Sequence, residues 1–318
     1  MMTSGLAILD FSIHGNAIDA ESDRLLAAAA RAEGIEATIS TIAPSQPRAA
    51  EPHASEGLLL RPHGGPAASF QPSALSCQPQ DFSARCKEVS EKDSIRIGVE
   101  RVWLRYDLRS RAELSWMVAV AHDLRRRGHR VFPQATSILL AEDKWETVRA
   151  FRERGISTPE TLLALDIDRC RLPAMLKPRV GWGGLGSRVL RDASDLRSAD
   201  AIVAEDFICQ PYIPHCRTSI VAVANGRETV VIEERREPER DGEAQVRPLP
   251  PGADGLAAAA VEAVRLPAGT ADLIETGGCL SVLEVNSAPR IAYPNVPDAE
   301  LATPLVRAVL SWMENPGH

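Results

Sequence analysis

The segment PAMLKPRVGWGGLGSRVL (173–190) constrains the fold more than any other stretch of the chain. A short apolar strand ends at Lys177, Pro178 stops it, and Gly181, Gly183, Gly184 and Gly186 follow in close succession. A second strand, SRVL, comes straight after. A Walker-type phosphate loop needs its lysine after the glycines and a helix behind them. Here the lysine comes first and a strand follows. The spacing therefore predicts a β-hairpin with a glycine flap. Such a flap can bring backbone N–H groups onto phosphate oxygens, because glycine permits positive φ and close approach. Lys177 adds a point charge for the same oxygens. Taken by itself, the segment could also be a plain glycine-rich turn with a surface lysine.

The flanking patterns alternate strand and helix. GLAILDF (5–11) reads as a buried strand, AESDRLLAAAARAE (20–33) as a helix stopped by Gly34, and ATIST as a second strand. This β-α-β start suits a parallel sheet. From 43 to 93 Pro44, Pro47, Pro52, Pro62, Pro66, Pro72 and Pro79 interrupt a stretch rich in Ala, Ser, Gln and Gly, so an extended or disordered insertion is expected there. One or two strands in IRIGVERVWLRYD (95–107), a helix over 111–127 stopped by Gly128, and a strand at HRVFP complete an N-terminal α/β domain at 1–135. The three arginines ending that helix match its dipole and need no ligand. A single amphipathic helix is expected over 141–154, with Glu142 and Asp143 in its first turn, and the tail 301–315 reads as another helix. ISTPETLLA leads into a second α+β segment. No internal repeat is visible.

Composition excludes several roles. Lys+Arg 36 against Asp+Glu 43 leaves a net charge of −7, the wrong sign for a nucleic-acid binder. No apolar run is long enough for a membrane span, and the N-terminus lacks the pattern of a signal peptide. The six cysteines (Cys77, Cys86, Cys170, Cys209, Cys216 and Cys279) form no CxxC pair. Disulfide and zinc frameworks are thus disfavoured, and a reducing cytoplasm is the expected location.

Two further segments carry chemistry. In TADLIETGGCLSVLEVNSAPR (270–290) two strands flank Gly277-Gly278. Glu284 and Asn286 are two apart and share a face, so two hard oxygen donors could hold Mg²⁺, with Mn²⁺ as an alternative. Asp272 joins them if the hairpin loop has three or five residues. A two-residue loop would set it opposite Leu283, facing away. An exposed acidic hairpin is the plainer reading, but an unpaired Glu284 buried within VLEVN would be costly. The other segment, DFICQPYIPH (206–215), is an apolar strand with a Gln-Pro-Tyr-Ile exit that could link two lobes and seat a flat heterocycle.

In this order, AEDKWETVRAFRERGISTPET, MLKPRVGWGGLGS, ICQPYI, a strand pair ending near EER, and ADLIE…LEVNSAP resemble the ATP-grasp superfamily. The resemblance is strongest to RimK-like and glutathione-synthetase-type carboxylate–amine ligases and covers about 136–290. It implies an α/β (α+β) ATP-grasp fold, with an N-terminal α/β domain and two α+β lobes enclosing the nucleotide, a central lobe with the glycine flap at 136–208 and a C-terminal lobe with the metal site at 209–318. It further implies that Lys144 and Lys177 contact ATP phosphates under a flap of Gly183, Gly184 and Gly186. Gln210, Pro211, Tyr212 and Ile213 would form the adenine hinge, with the Pro211 carbonyl accepting and the Ile213 N–H donating. Asp272, Glu284 and Asn286 would hold Mg²⁺. Arg235 would stabilise the transferring group, and Arg290 would line the substrate pocket. The implied reaction activates a carboxylate as an acyl phosphate and joins it to an amine, on small-molecule or peptide substrates, with ADP released. A nucleotide- or partner-binding module without catalysis is the alternative from another class. A ligase acting on a ribosomal peptide is the alternative within enzymes. No nucleic-acid or membrane partner is expected, and a homodimer stays open.

Overall fold

A computed structural model describes residues 3–11, 17–41, 99–192, 194–195, 204–213, 217–234, 244–253, 255–293 and 295–315. The proline-rich insertion and Arg235 lie outside them.

The N-terminal sheet contains β1 (Thr3–Phe11), β2 (Ala37–Thr41), β3 (Val99–Tyr106) and β4 (Arg130–Phe132), in the order β2-β1-β3-β4 with every pair parallel. Parallel sheets bury both faces, and the alternation in β1 shows why this one can. Leu6 and Ile8 join one core, which also takes Leu26 of α1 (Ala17–Ala32) and Leu305 of the C-terminal helix. Ala7, Leu9 and Phe11 join a second core with Leu114, Met117 and Leu124 of α2 (Arg111–Arg126). The start of α2 is fixed locally: the Glu113 N–H donates to the Ser110 hydroxyl and the Glu113 carboxylate accepts from the Arg109 N–H.

The helix expected over 141–154 is two helices, α3 (Ala135–Glu142) and α4 (Lys144–Glu153). The amphipathic pattern runs through the break, but Asp143 leaves helical geometry at φ −93° and ψ 104°. Its carboxylate accepts from the Trp145 N–H and is gripped by Arg179, which together outweigh one more turn of helix. Glu142 thus ends one helix, Asp143 caps the next, and Lys144 begins it.

The smallest sheet has the order β5-β8-β6-β7: β5 (Leu162–Leu163), β8 (Phe207–Pro211), β6 (Ala174–Pro178) and β7 (Arg188–Leu190). The flap connects β6 to β7 as the glycine spacing predicts. At Gly186, φ is +72° and a Cβ would meet Pro178 Cγ at 3.0 Å, so both conformation and space favour glycine. The expectation against disulfides is corrected here, because Cys170 and Cys209 are bonded. Their separation of 39 residues matches no local spacing motif, and only the packing of a 3₁₀ turn, Ala164–Arg169, on β8 brings them together.

The largest sheet is antiparallel, with the order β11-β10-β9-β12-β13: β9 (Arg217–Ala224), β10 (Arg227–Glu234), β11 (Ala244–Arg247), β12 (Ala268–Thr276) and β13 (Cys279–Asn286). Helices α5 (Leu256–Ala263) and α6 (Ala302–Glu314) cover its apolar face through Ala257, Ala260, Val261, Leu305 and Val309. Among the described residues no helix is long and apolar enough to cross a membrane.

Candidate active site

The β12–β13 hairpin departs from the loop arithmetic in an instructive way. Its loop has two residues, Gly277 and Gly278, between the paired Thr276 and Cys279. Both glycines have positive φ, +57° and +80°, as a tight hairpin turn of this hand requires. A regular ladder from that turn would set Asp272 opposite Leu283. Instead Leu273 pairs with Val282 and Asp272 pairs with Glu284, because Leu283 is the extra residue of a β-bulge. A bulge lets consecutive side chains share a face, and Leu283 and Glu284 both line the same cavity as Asp272. The expected dependence on an odd-numbered loop is therefore corrected: the bulge supplies the missing residue. Asn286 Nδ2 donates to Asp272 Oδ1 at 3.3 Å.

This cavity, about 400 Å³, lies between the smallest and largest sheets. Lys144, Lys177, Gly183 and Gly184 line it with Asp272 and Glu284. Lys144 Nζ donates to the Gly181 carbonyl and sits 3.5 Å from Glu284 Oε2. Lys177 enters from the end of β6, and Met175, two residues earlier on the same face, adds an apolar wall. Thr218, Ser219 and Ile220 of β9 close the opposite side.

A buried ion pair sets the base of the flap. Arg179, next after Pro178, donates from Nε and Nη2 to both carboxylate oxygens of Asp143 at 3.0 and 2.6 Å. The Lys144 N–H donates to the Arg179 carbonyl at 2.9 Å. The lysine of α4 and the flap that follows β6 are thus held by one bidentate contact, the geometry in which a buried arginine is best satisfied.

A hydroxyl relay lies behind the metal-type hairpin. Ser287 Oγ donates to Glu142 Oε1 at 2.6 Å, so the Tyr106 hydroxyl, also 2.6 Å from Ser287 Oγ, is the donor to it. Burial pushes the Glu142 carboxyl above the usual carboxylate range, opposed by the Ser287 hydrogen bond and by Lys144. Burial, with the Glu142 charge second, pushes the Tyr106 phenol up as well. Arg105 donates to the Pro289 carbonyl at 2.8 Å, so the N-terminal sheet holds the chain that follows Asn286.

The other sequence candidates fall elsewhere. Gln210, Pro211, Tyr212 and Ile213 are not among the lining residues. The Gln210 side chain is 3% exposed and donates to Thr161 Oγ1 at 2.9 Å, and the Tyr212 N–H donates to the Pro173 carbonyl at 3.0 Å. Arg290, on the chain after β13, donates from Nε to the Ala292 carbonyl and lies over the Tyr293 ring. Sequence reasoning missed Asp143 with Arg179, and Glu142 with Ser287 and Tyr106. For Glu142 and Asp143 the signal was present, since both directly precede Lys144.

The set of donors suits a hard cation. Asp272 and Glu284 offer carboxylates from adjacent strands, and Asn286, which is not among the lining residues, stands beside Asp272 with an amide oxygen. Among the described residues no three His, Cys, Asp or Glu side chains gather into a cation site. Two carboxylates facing an open cavity match Mg²⁺, which keeps water and phosphate oxygens in its shell, better than a metal caged by protein.

The ATP-grasp domain model matches residues 141–244. N5-carboxyaminoimidazole ribonucleotide synthase from Pseudomonas aeruginosa is 32% identical over 129 residues, which is 37% of this chain and 32% of that protein. The match therefore spans about a third of that relative's length. Among solved structures, D-alanine–D-alanine ligase from Bacillus anthracis, complexed with ATP, aligns with a TM-score of 0.64 at 14% identity, over 98% of this chain and 97% of that one. A RimK-domain ATP-grasp protein from Sphaerobacter thermophilus aligns at 0.58 and 17% identity, over 96% and 99%.

Proposed function

We propose, from the premise that this chain carries an ATP-grasp domain in an ATP-grasp fold, that it is an ATP- and Mg²⁺-dependent carboxylate–amine ligase. The observation that carries this reading is the convergence of Lys144, Lys177, Asp272 and Glu284 on one cavity beneath glycines. Two cations and two carboxylates around one cavity suit a polyanion and its metal, the cations facing phosphate oxygens and the carboxylates a hard cation.

In this reading Lys144 and Lys177 neutralise ATP phosphates, and the backbone N–H groups of Gly183, Gly184 and Gly186 close over them. Asp272, Glu284 and Asn286 hold Mg²⁺, which when bound offsets phosphate charge as the γ-phosphoryl group transfers. Met175, Leu283 and Ile220 keep water from the purine side. The substrate carboxylate attacks the γ-phosphorus, giving an acyl phosphate and ADP. An amine then attacks the acyl carbon, forming the amide and releasing phosphate. The hinge roles of Gln210 to Ile213 and the transition-state roles of Arg235 and Arg290 belong to the same proposal.

The test is ADP release across a panel of amino acids and small carboxylic acids, with products identified by mass spectrometry. The reading requires ADP formation that depends on both a carboxylate and an amine, and a product lighter by one water than the two combined. ATP binding with no ADP formation on any pair would leave a nucleotide-binding module in its place.

A further inference from the structure

Among the described residues, the core of the smallest sheet has Ala164, Ala174, Leu176, Leu190 and Cys209 buried, with Ile167, Leu172 and Phe207 packed against them. Cys209, inside that core, is itself half of the disulfide to Cys170, a covalent staple added to a small cluster. Cys209 lies in β8 between β5 and β6, directly opposite Leu176. The residues on either side of Leu176 are Met175 and Lys177, which line the nucleotide cavity. The bond therefore anchors the strand next to the cavity wall. It also ties that strand to the 3₁₀ turn, which otherwise packs on this core through Ala164 and Ile167.

The two cysteines differ in exposure. Cys209 is 1% exposed, whereas Cys170 is only half-buried, at the end of the turn. Thiol–disulfide exchange needs a thiolate to reach one sulfur, and Cys170 is the more exposed partner.

We propose that Cys170–Cys209 is a thiol–disulfide exchange site that sets the nucleotide affinity of this lobe. The proposal rests on the ATP-binding reading above. Its co-reactants are small thiols of the glutathione class. A thiolate attacks Cys170 Sγ and forms a mixed disulfide, and Cys209 leaves as a thiolate and takes a proton. A second thiolate attacks the small-molecule sulfur of the mixed disulfide, freeing Cys170, which takes the second proton. Two small thiols are oxidised to one disulfide, and the protein bond is reduced to two thiols. The reverse reaction, with the small disulfide as oxidant, restores the bond. In the bonded state β8 is pinned and β6 presents Met175 and Lys177 in one geometry. In the reduced state β8 keeps its ladder and the Gln210–Thr161 hydrogen bond, but the turn is released. A smaller fraction of molecules is then competent to bind, and the apparent dissociation constant rises by the inverse of that fraction.

The experiment is calorimetric titration with ATP and Mg²⁺ on the full chain, first without reductant and then after treatment with a dithiol, with Cys170→Ser in parallel. Alkylation and peptide mapping record the state of the Cys170–Cys209 pair in each sample. Cys170 is chosen because its half-buried place tolerates serine better than the Cys209 site. Expected are a cross-linked Cys170–Cys209 peptide in the untreated protein and a Kd roughly three- to tenfold higher after reduction. Cys170→Ser should show the higher Kd with or without dithiol. Equal, measurable affinities in the bonded and reduced states would overturn the proposal alone, as would a Cys170→Ser protein that still responds to dithiol, or an untreated protein with both thiols free. Absence of ATP binding in every state would instead bring down the nucleotide reading, and this proposal with it.

Discussion

Lys144 Nζ stands 3.5 Å from Glu284 Oε2, joining the first residue of α4 to the bulged strand β13. Neither side chain is far from water, at 15% and 26% exposure, so the pair faces the cavity. In the proposed function the lysine meets the phosphates of a nucleotide and the carboxylate its metal. Glu284→Gln removes the charge assigned to the metal there while nearly conserving volume. It should leave the melting temperature within a few degrees of wild type and reduce turnover to background, measured as ADP release.

Lys177 extends from a strand end and contributes charge rather than core. Lys177→Ala should weaken ATP binding by about 1.5–3 kcal/mol, the worth of a hydrogen bond to a charged group, or roughly ten- to 150-fold in Kd. Circular dichroism should be unchanged. An unaltered Kd would remove Lys177 from the site.

Arg179 and Asp143 form the most enclosed ion pair near the cavity, with side chains 11% and 4% exposed. Breaking such a pair from one side strands the other charge, at a cost of about 3–5 kcal/mol. Asp143→Ala also loses the cap of α4, so thermal denaturation should show a fall of about 10 °C. A fall of a degree or less would show the pair to be solvated in solution.

What the sequence disclosed, and what it hid, divides along these contacts. The apolar run in GLAILDF and the helical spacing in 111–127 announce the N-terminal layer, because those signals depend only on what each element buries. The strand–glycine–strand hairpin at 173–190 is equally local. The break at Asp143 is not, since Arg179 enforces it from another element. Nor is the bulge at Leu283, which corrects a register that counting from Gly277-Gly278 would misplace. The Cys170–Cys209 bond depends on tertiary packing and has no spacing signature. The convergence of Lys144 with Glu284 was legible only through the family resemblance.

Glu142 offers a pH test. Burial raises its folded-state pKa above the unfolded value. The stabilisation of the native state by protonated Glu142 is then complete below the unfolded value, about 4.3, and is lost as pH rises through the folded one. Glu142→Gln, which cannot ionise, should lack this loss. The melting temperature of wild type minus that of the variant should therefore decline from acid toward neutral pH. A difference that stays flat across that range would mean the carboxyl is not desolvated as the fold implies.

The central claim is that one cavity holds a nucleotide and its metal together. Calorimetric titration of ATP into the protein, with Mg²⁺ and again with the metal chelated, tests it most directly. The account predicts saturable binding with Mg²⁺, marked weakening on chelation, and little difference between the two conditions for Glu284→Gln. ATP binding that ignores Mg²⁺ in the wild type, or no binding at all, would contradict it.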